Sequence, residues 1–291
     1  MTNKRELFIL NPAAGTDRVC SVYENAVRNV FGPDARVVRT TRQGHARELT
    51  QQAVQEGMAR VTAIGGDGTI NEISQVLVGT SIPLGVIPKG SGNGFAREFN
   101  IPLNPLKACR FLARSSLLTV DVGQINGELF FNIAGFGLDA CIARAFDQTQ
   151  AGGTRGKAPY FWLGLKEYRR YRPPSITLHH DGGTTSVTPL LVAIANGKQY
   201  GGGAKIAPTA EMTDGFLTVV SIVSTPWYRL LPMIPRLFRG TLTESPSVQI
   251  IKTKKMTVTF PKEIPYHLDG EVRSSSHLTI KILPQTLRLS V

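Results

Sequence analysis

The sequence predicts two unlike halves, an α/β layer structure followed by a mostly antiparallel β structure, and three observations carry that expectation. Up to about residue 120 short apolar runs alternate with helical patterns, as in a parallel sheet flanked by helices. Beyond that point strand-like runs follow one another with Gly, Pro and Asp turns between them, the pattern of antiparallel pairing. Between the apolar run 61–64 and a helical pattern stands Gly65-Gly66-Asp67-Gly68-Thr69. There, bare backbone N–H groups and the dipole of the following helix suit a phosphate.

Element by element, residues 7–10, 37–38, 61–64 and 84–87 are the strand candidates of the first half. Ala46, Leu49 and Ala53 keep helical spacing and Gly57 closes that segment; Ile70, Ile73 and Leu77 do the same before Gly79, each glycine standing where a helix ends in the left-handed region. On this pattern the second helix starts at Ile70. Asn104-Pro105 opens another, a capping residue followed by proline at the first helical position. The alternation is Rossmann-like. In the second half Asn126-Gly127, between the apolar runs 120–122 and 129–131, predicts a tight hairpin. Strands are expected at 175–178, 190–195, 217–223, 256–260 and 278–283. Residues 226–238 interrupt them: Trp227, Leu230, Leu231, Ile234 and Leu237 are helically spaced despite Pro232 and Pro235, as in a kinked core helix or a lipid-facing segment.

A chain of 291 residues with 42% hydrophobic content can bury a large core, in two domains more readily than one. No apolar run approaches the roughly 20 residues of a spanning helix. The first residues lack the apolar stretch of a signal peptide, so cytoplasmic residence is expected. Cys20, Cys109 and Cys141 have neither zinc nor disulfide spacing and are expected as buried thiols. Thirty-three basic against twenty-one acidic residues leave a net +12, a field that suits nucleic acid, an anionic membrane or nucleotide phosphates. The densest basic cluster, Lys166, Arg169, Arg170 and Arg172, is interleaved with Tyr168 and Tyr171 and follows the aromatic stretch 160–163. Its apolar side is expected in a core rather than on a membrane interface.

Familiar phosphate motifs are excluded by spelling. A Walker A loop fails at Gly156-Lys157, which has Ala158 after it and Ala151 where the first glycine belongs; a dinucleotide fingerprint fails at Phe95, the last residue of Gly90-Ser91-Gly92-Asn93-Gly94-Phe95. Protein-kinase tripeptides H-R-D and D-F-G are absent. His45, His179, His180, His267 and His277 show no metal or triad spacing. Asp67 would repel a phosphate unless a metal or a sugar hydroxyl stood between them.

Read in order, the motifs resemble the diacylglycerol kinase catalytic-domain family of lipid kinases, which includes bacterial soluble lipid kinases and the sphingosine and ceramide kinases. Asn11-Pro12-Ala13-Ala14-Gly15 is similar to its N-P-x-x-G loop, residues 40–46 to T-x-x-x-G-[HD]-A, and residues 65–71 to G-G-D-G-T-x-N. Gly90-Ser91-Gly92-Asn93 corresponds to G-[ST]-x-N, residues 135–140 to G-x-G-x-D-A, and Asn196-Gly197 with residues 201–203 to N-G-x-x-x-G-G-G. Asp214-Gly215 and Asp269-Gly270-Glu271 complete the series. The glycine-aspartate turn alone is shared with NAD kinases and phosphofructokinases; the downstream elements point to lipid.

The resemblance implies a Rossmann-like ATP-binding α/β catalytic domain of the NAD kinase/phosphofructokinase type over residues 1–120, completed by a returning C-terminal strand at 285–291. It implies a lipid-substrate β-sandwich over 121–284. The implied reaction transfers the γ-phosphoryl group of ATP to a lipid hydroxyl with Mg2+. Asn11, Thr40 (or Thr41), Gly65, Gly66, Asp67, Gly68, Thr69, Ile70, Asn71 and Ser91 would hold ATP, with Asp67 binding or orienting the magnesium. Glu271 is the implied general base, and Asp269, on the same face if the segment is extended, would share base and metal work. Asp214 would form a structural magnesium site with the carbonyls of Glu211 and Phe216. The chain departs from the bacterial pattern at Gly94, where Asp is usual, so one carboxylate of the magnesium network is missing. The implied partner is a lipid at an anionic membrane surface, met peripherally, with no nucleic acid; a homodimer stays open. A kinase of a soluble nucleotide or sugar and a non-catalytic membrane-docking module are the competing classes.

Overall fold

Four parallel strands, β1 (Glu6–Leu10), β2 (Arg36–Arg39), β3 (Arg60–Gly65) and β4 (Leu84–Pro88), form a sheet in the order β4-β3-β1-β2 in the computed structural model, which describes residues 5–15, 19–150 and 166–291, the side chains of 146–150 excepted. The inner strands β1, β3 and β4 are almost wholly buried, as strands covered on both faces must be. Around them run α1 (Cys20–Phe31), α2 (His45–Gln55), α3 (Asp67–Leu77), α4 (Gly94–Glu98) and α5 (Pro105–Ala113). Helix α1 packs beside α5 and α2 beside α3. Each of the three longest buries one stripe: Tyr23, Ala26 and Val27 on α1, Ala46, Leu49 and Ala53 on α2, Ile70, Ile73 and Leu77 on α3. Asn104 caps α5 by accepting from Lys107 N–H, with Pro105 at the first position.

This sheet belongs to one compact unit comprising Met1–Val122, Tyr200–Gly203 and Leu283–Val291; the other comprises Gly123–Gln199 and Ala204–Ile282. The last residues lie on this sheet: Leu289 pairs with Leu84 in parallel, and Ser116 and Val291 exchange backbone hydrogen bonds of 2.8 and 3.0 Å. Helix α3 corrects the sequence reading, because it opens at Asp67 rather than Ile70. Gly66 is extended and caps it, so the glycine-aspartate turn forms the first helical turn. Helix α1 escaped notice because Val19 makes no side-chain cap and its apolar residues are diluted by polar ones.

The second unit is antiparallel. Its main sheet runs β12 (Val248–Thr253), β11 (Leu217–Val223), β10 (Pro189–Ala195), β7 (Ile133–Gly137), β13 (Lys255–Leu268) and the first part of β14 (Glu271–Ser290). β8 (Ile176–His180) pairs with β13, and β9 (Gly183–Val187) with β8. Strands β5 (Leu117–Ile125) and β6 (Glu128–Phe130) make the expected hairpin, with Asn126 and Gly127 both at positive φ. The core gathers alternate residues of these strands, among them Phe136, Ile194, Val219, Val258 and Leu278, with Phe136 edge-on to Phe260 at 5.1 Å. Fully burying side chains of this size contributes about 1.5–3 kcal/mol each. β9 and β12 are half exposed and gave little apolar signal. Helix α6 (Leu138–Gln150) follows β7.

Residues 226–238 are not a core helix. They form α7 (Trp227–Leu230) and α8 (Met233–Arg239), broken at Pro232, with Met233 buried. The aromatic stretch 160–163 and the Gly156-Lys157 pair lie outside the described residues. Of the cysteines only Cys109 is buried; Cys20 and Cys141 are partly exposed, which corrects the expectation of three buried thiols. Burial pushes the Cys109 thiol up to about 12 and raises that of Cys141 as well. Since the thiolate is the reacting form, iodoacetamide at about pH 8 should label Cys20 first, Cys141 more slowly and Cys109 only on unfolding, as peptide mapping would show. Rapid native labelling of Cys109 would contradict the described core.

Candidate active site

In the first unit three loops meet at the C-terminal ends of β1, β3 and β4. The Asn11 backbone N–H donates to Ile64 O at 2.9 Å, its side-chain amide to Thr69 Oγ1 at 2.9 Å, and its Oδ1 accepts from Ala13 N–H at 2.9 Å. Asn11 thus ties the loop after β1 to the first turn of α3. Gly65 must be glycine: a Cβ there would lie 2.5 Å from Thr69 Oγ1. A Cβ on Gly90 would lie 2.5 Å from the Gly66 Cα, so the two glycine loops touch backbone to backbone. Gly66 provides no side-chain cap; its carbonyl accepts from Thr69 and Ile70 N–H at 3.0 and 3.1 Å, and the N–H groups of Asp67 and Gly68 at the helix start are those suited to an anion.

Asp67 is half-buried. Its Oδ2 accepts from Gly94 N–H at 3.1 Å and its Oδ1 from Phe95 N–H at 3.0 Å, so it fastens α4 to the start of α3. Each oxygen retains a further acceptor site. Asn93, at φ 49°, closes the loop by exchanging two 2.8 Å bonds with Gly90, and Ser91 is exposed. Gly202 N–H donates to Gly92 O at 3.1 Å, bringing the glycine triplet 201–203 to this loop. Thr40 is buried and its N–H donates to Leu10 O at 2.8 Å; Thr41 is exposed and its N–H donates to His45 Nδ1 at 3.1 Å. The Ile70 side chain is core, so only its backbone can serve a ligand. Asn71 Oδ1 accepts weakly from Gln75 at 3.4 Å.

Sequence reasoning missed Lys89. It is 4% exposed, and its ammonium donates to Ala14 O at 2.6 Å and Pro12 O at 3.2 Å, over the Tyr23 ring at 5.8 Å. Lys89 therefore holds the loop after β1 against the loop after β4. The available signal was its position as the one charge in residues 84–94.

In the second unit Asp269 and Gly270 form a two-residue hairpin turn between β13 and β14, at φ 50° and 96°, with Leu268 paired to Glu271. This corrects the picture of an extended segment presenting both carboxylates on one face. The Asp269 carboxylate accepts from three backbone N–H groups, Phe131 at 2.7 Å, Asn132 at 2.9 Å and Ile133 at 3.0 Å. The Glu271 side chain is 54% exposed and pairs at 3.1 Å with Arg273, which also meets Glu128 at 3.1 Å. The Asn196 amide donates to Phe131 O at 2.9 Å and that of Asn132 to Gln199 O at 2.7 Å, bracing the segment that Asp269 holds. Nearby in the sequence motifs, Asp139 meets His267 at 3.2 Å, in space kept open by Gly135, whose Cβ would stand 2.7 Å from Asp139 Oδ2.

Asp214 accepts from Phe216 N–H at 3.0 Å and pairs with the Lys252 ammonium at 2.8 Å. Glu211 is exposed, and Phe216 carries the Lys254 ammonium over its ring at 5.0 Å. Among the described residues no group of three or more His, Cys, Asp or Glu side chains is arranged to hold a metal.

Residues 5–125 match the diacylglycerol kinase catalytic domain, and residues 132–291 match the YegS C-terminal NAD kinase beta sandwich-like domain. The chain is 34% identical over 251 residues to the diacylglycerol kinase of Mycobacterium tuberculosis, covering 84% of this chain and 80% of that one. It is 32% identical over 293 residues to the "Probable lipid kinase YegS-like" protein of Yersinia pestis, covering 97% and 95%. A crystal structure of a diacylglycerol kinase from Bacillus anthracis superimposes with TM-score 0.75 over 99% of this chain and 96% of that one, at 21% identity, which establishes the fold. The chain belongs to the diacylglycerol kinase catalytic-domain family and is a lipid kinase.

Proposed function

We propose that this lipid kinase transfers the γ-phosphoryl group of ATP to the hydroxyl of a membrane lipid, with diacylglycerol, the substrate named for its relatives, as the first candidate. The observation that carries the reading is the first turn of α3, uncapped by any side chain and framed by Gly66 and Gly90 in backbone contact. Such a turn accepts phosphate oxygens on N–H groups, and the loose transition state of phosphoryl transfer is served by positioning and charge neutralisation. Asn11 and Lys89 hold the loops in place for it. Thr40 or Thr41 and Ser91 would add hydroxyl contacts, and Asn71 an amide.

Asp67 fits a hydrated magnesium ion. It is an oxygen donor, rigidly held by two N–H groups, with acceptor capacity left over, and Mg2+ prefers few carboxylates and several waters. When bound, the ion would neutralise charge on the transferring phosphate. Asp214 does not fit: Lys252 already places a cation at 2.8 Å, and magnesium would have to displace it, so no step is routed there. Glu271, exposed and held by a surface ion pair, would take the lipid hydroxyl proton. Asp269 would build the hairpin that presents it.

The test is phosphorylation by purified protein with radiolabelled ATP across diacylglycerol, phosphatidylglycerol, sphingosine and ceramide, with NAD and simple sugars as soluble acceptors. One lipid should be labelled, and Asp67→Ala should cut the rate by about 10²-fold or more. Label confined to a soluble acceptor would overturn the reading, as would no label together with no nucleotide binding.

A further inference from the structure

Five of the eleven large hydrophobic side chains that stand out as exposed among the described residues fall within residues 227–238: Trp227, Tyr228, Leu231, Ile234 and Phe238. The other six are scattered along the chain, as isolated surface apolar residues usually are. The five recur at helical spacing, so α7 and α8 turn one apolar face outward while Met233 anchors the opposite side. Lys205 N–H bonds Leu237 O at 2.9 Å, and Gly240 closes α8 with its N–H on Arg236 O at 2.9 Å. The segment is thus fixed to the unit with its apolar residues outside. Trp227 is 58% exposed and Phe238 54%, a heavy hydration cost for aromatic rings that no described residue offsets.

Basic side chains surround this face. Arg229 and Arg239 lie on α7 and α8 and are exposed, with Arg236 half-buried. The helical turn 166–170 is brought to the same place, because Tyr168 Oη donates to Thr225 O at 2.9 Å, immediately before the Pro226 that opens α7. Lys166, Arg169 and Arg170 on that turn are exposed, against the single acid Glu167. The basic cluster and the apolar segment, far apart in sequence, form one patch.

We propose that this α7–α8 ledge is a docking surface for an anionic lipid bilayer, with Trp227, Leu231 and Phe238 entering the headgroup and acyl boundary and the arginines meeting lipid phosphates. Tryptophan and tyrosine beside aliphatic residues and a rim of arginine is the composition of an interfacial helix. Charge argues against a second copy, since a two-fold contact sets identical basic rims against each other. The exposed aliphatic Leu231 and Ile234 suit acyl chains better than the stacked bases of a nucleic acid. The choice of bilayer rests on the lipid-acceptor reading, whereas the ledge itself is argued from exposure and charge.

The experiment is flotation with phosphatidylcholine vesicles, with and without about one-third phosphatidylglycerol, in the absence of ATP, so that binding is read separately from catalysis. The full chain should float with the anionic vesicles and lose this at high salt. Trp227→Ser/Leu231→Ser should lower the bound fraction about tenfold or more, and Arg169→Glu/Arg170→Glu should remove the preference for anionic lipid. In a Trp162→Phe background, Trp227 fluorescence should be quenched by brominated acyl chains, a readout that needs no change in the ledge. Unquenched Trp227, or equal flotation by correctly folded variants, overturns the proposal. So does a doubled mass that the Trp227/Leu231 variant loses, which would mean a second copy, or an oligonucleotide bound more tightly than vesicles.

Discussion

Glu271→Gln is expected to lower kcat for lipid phosphorylation by about 10²–10⁴-fold, the range typical of a lost general base, while thermal stability and ATP affinity stay unchanged. The two carboxylates of Asp269-Gly270-Glu271 have different environments. The Asp269 carboxylate accepts from three backbone N–H groups and is tied to holding that segment in place. Glu271 is more than half exposed and its partner, Arg273, is shared with Glu128. An exposed ion pair of this kind is worth about 0–1 kcal/mol, so the carboxylate can leave Arg273 for substrate at small cost. Glutamine keeps the side chain's shape and a hydrogen-bonding oxygen but cannot take a proton at pH 7. Steady-state kinetics with the preferred lipid, alongside nucleotide titration, separates chemistry from binding. A Glu271→Gln enzyme with wild-type kcat would move the base elsewhere in the molecule.

The two-part fold was legible because its signals are local. Buried parallel strands read as apolar runs, and Asn126-Gly127 could be little other than a hairpin turn, since both residues sit at positive φ. The glycine-aspartate turn was visible too, but its structural role was not. Nothing in the spelling of residues 65–69 shows that Asp67 reaches Gly94 and Phe95, because that contact depends on how two loops of one sheet edge lie together. The role of Lys89 was hidden for the same reason: it lies in carbonyls 75 and 77 residues away. The reading of Asp269 failed differently. Period-two reasoning assumes a strand, and Asp-Gly is itself a strong turn signal; here the turn prevailed, placing one carboxylate in the backbone scaffold and the other in solvent. At 226–238 the apolar, helical spacing left a core helix and a lipid-facing segment both open, because periodicity reports that a face exists without saying what covers it.

Asp269→Ala should be the most destabilising single change in the second unit's motif residues, at about 3–5 kcal/mol. Three N–H donors, those of Phe131, Asn132 and Ile133, share its carboxylate, and charge-assisted bonds of this kind contribute about 1.5–3 kcal/mol each, less when they share one acceptor. Alanine removes the acceptor and also occupies φ 50° poorly, where aspartate is tolerated. Asp269→Asn isolates the charge: it keeps the turn and one oxygen, but it turns an amide donor toward N–H groups, so roughly half the loss is expected. Urea unfolding followed by a probe in the β-sandwich unit measures both, since a chain of two units need not unfold in one step. The comparison with Glu271 is what gives the measurement its use. If Asp269 shapes the hairpin and Glu271 does the chemistry, Asp269→Asn loses stability and activity together, with activity recovering as the hairpin is stabilised by cooling. Glu271→Gln loses activity alone. Full stability with lost turnover in Asp269→Asn would instead assign the proton transfer to Asp269 and leave the three N–H bonds as a means of tuning it.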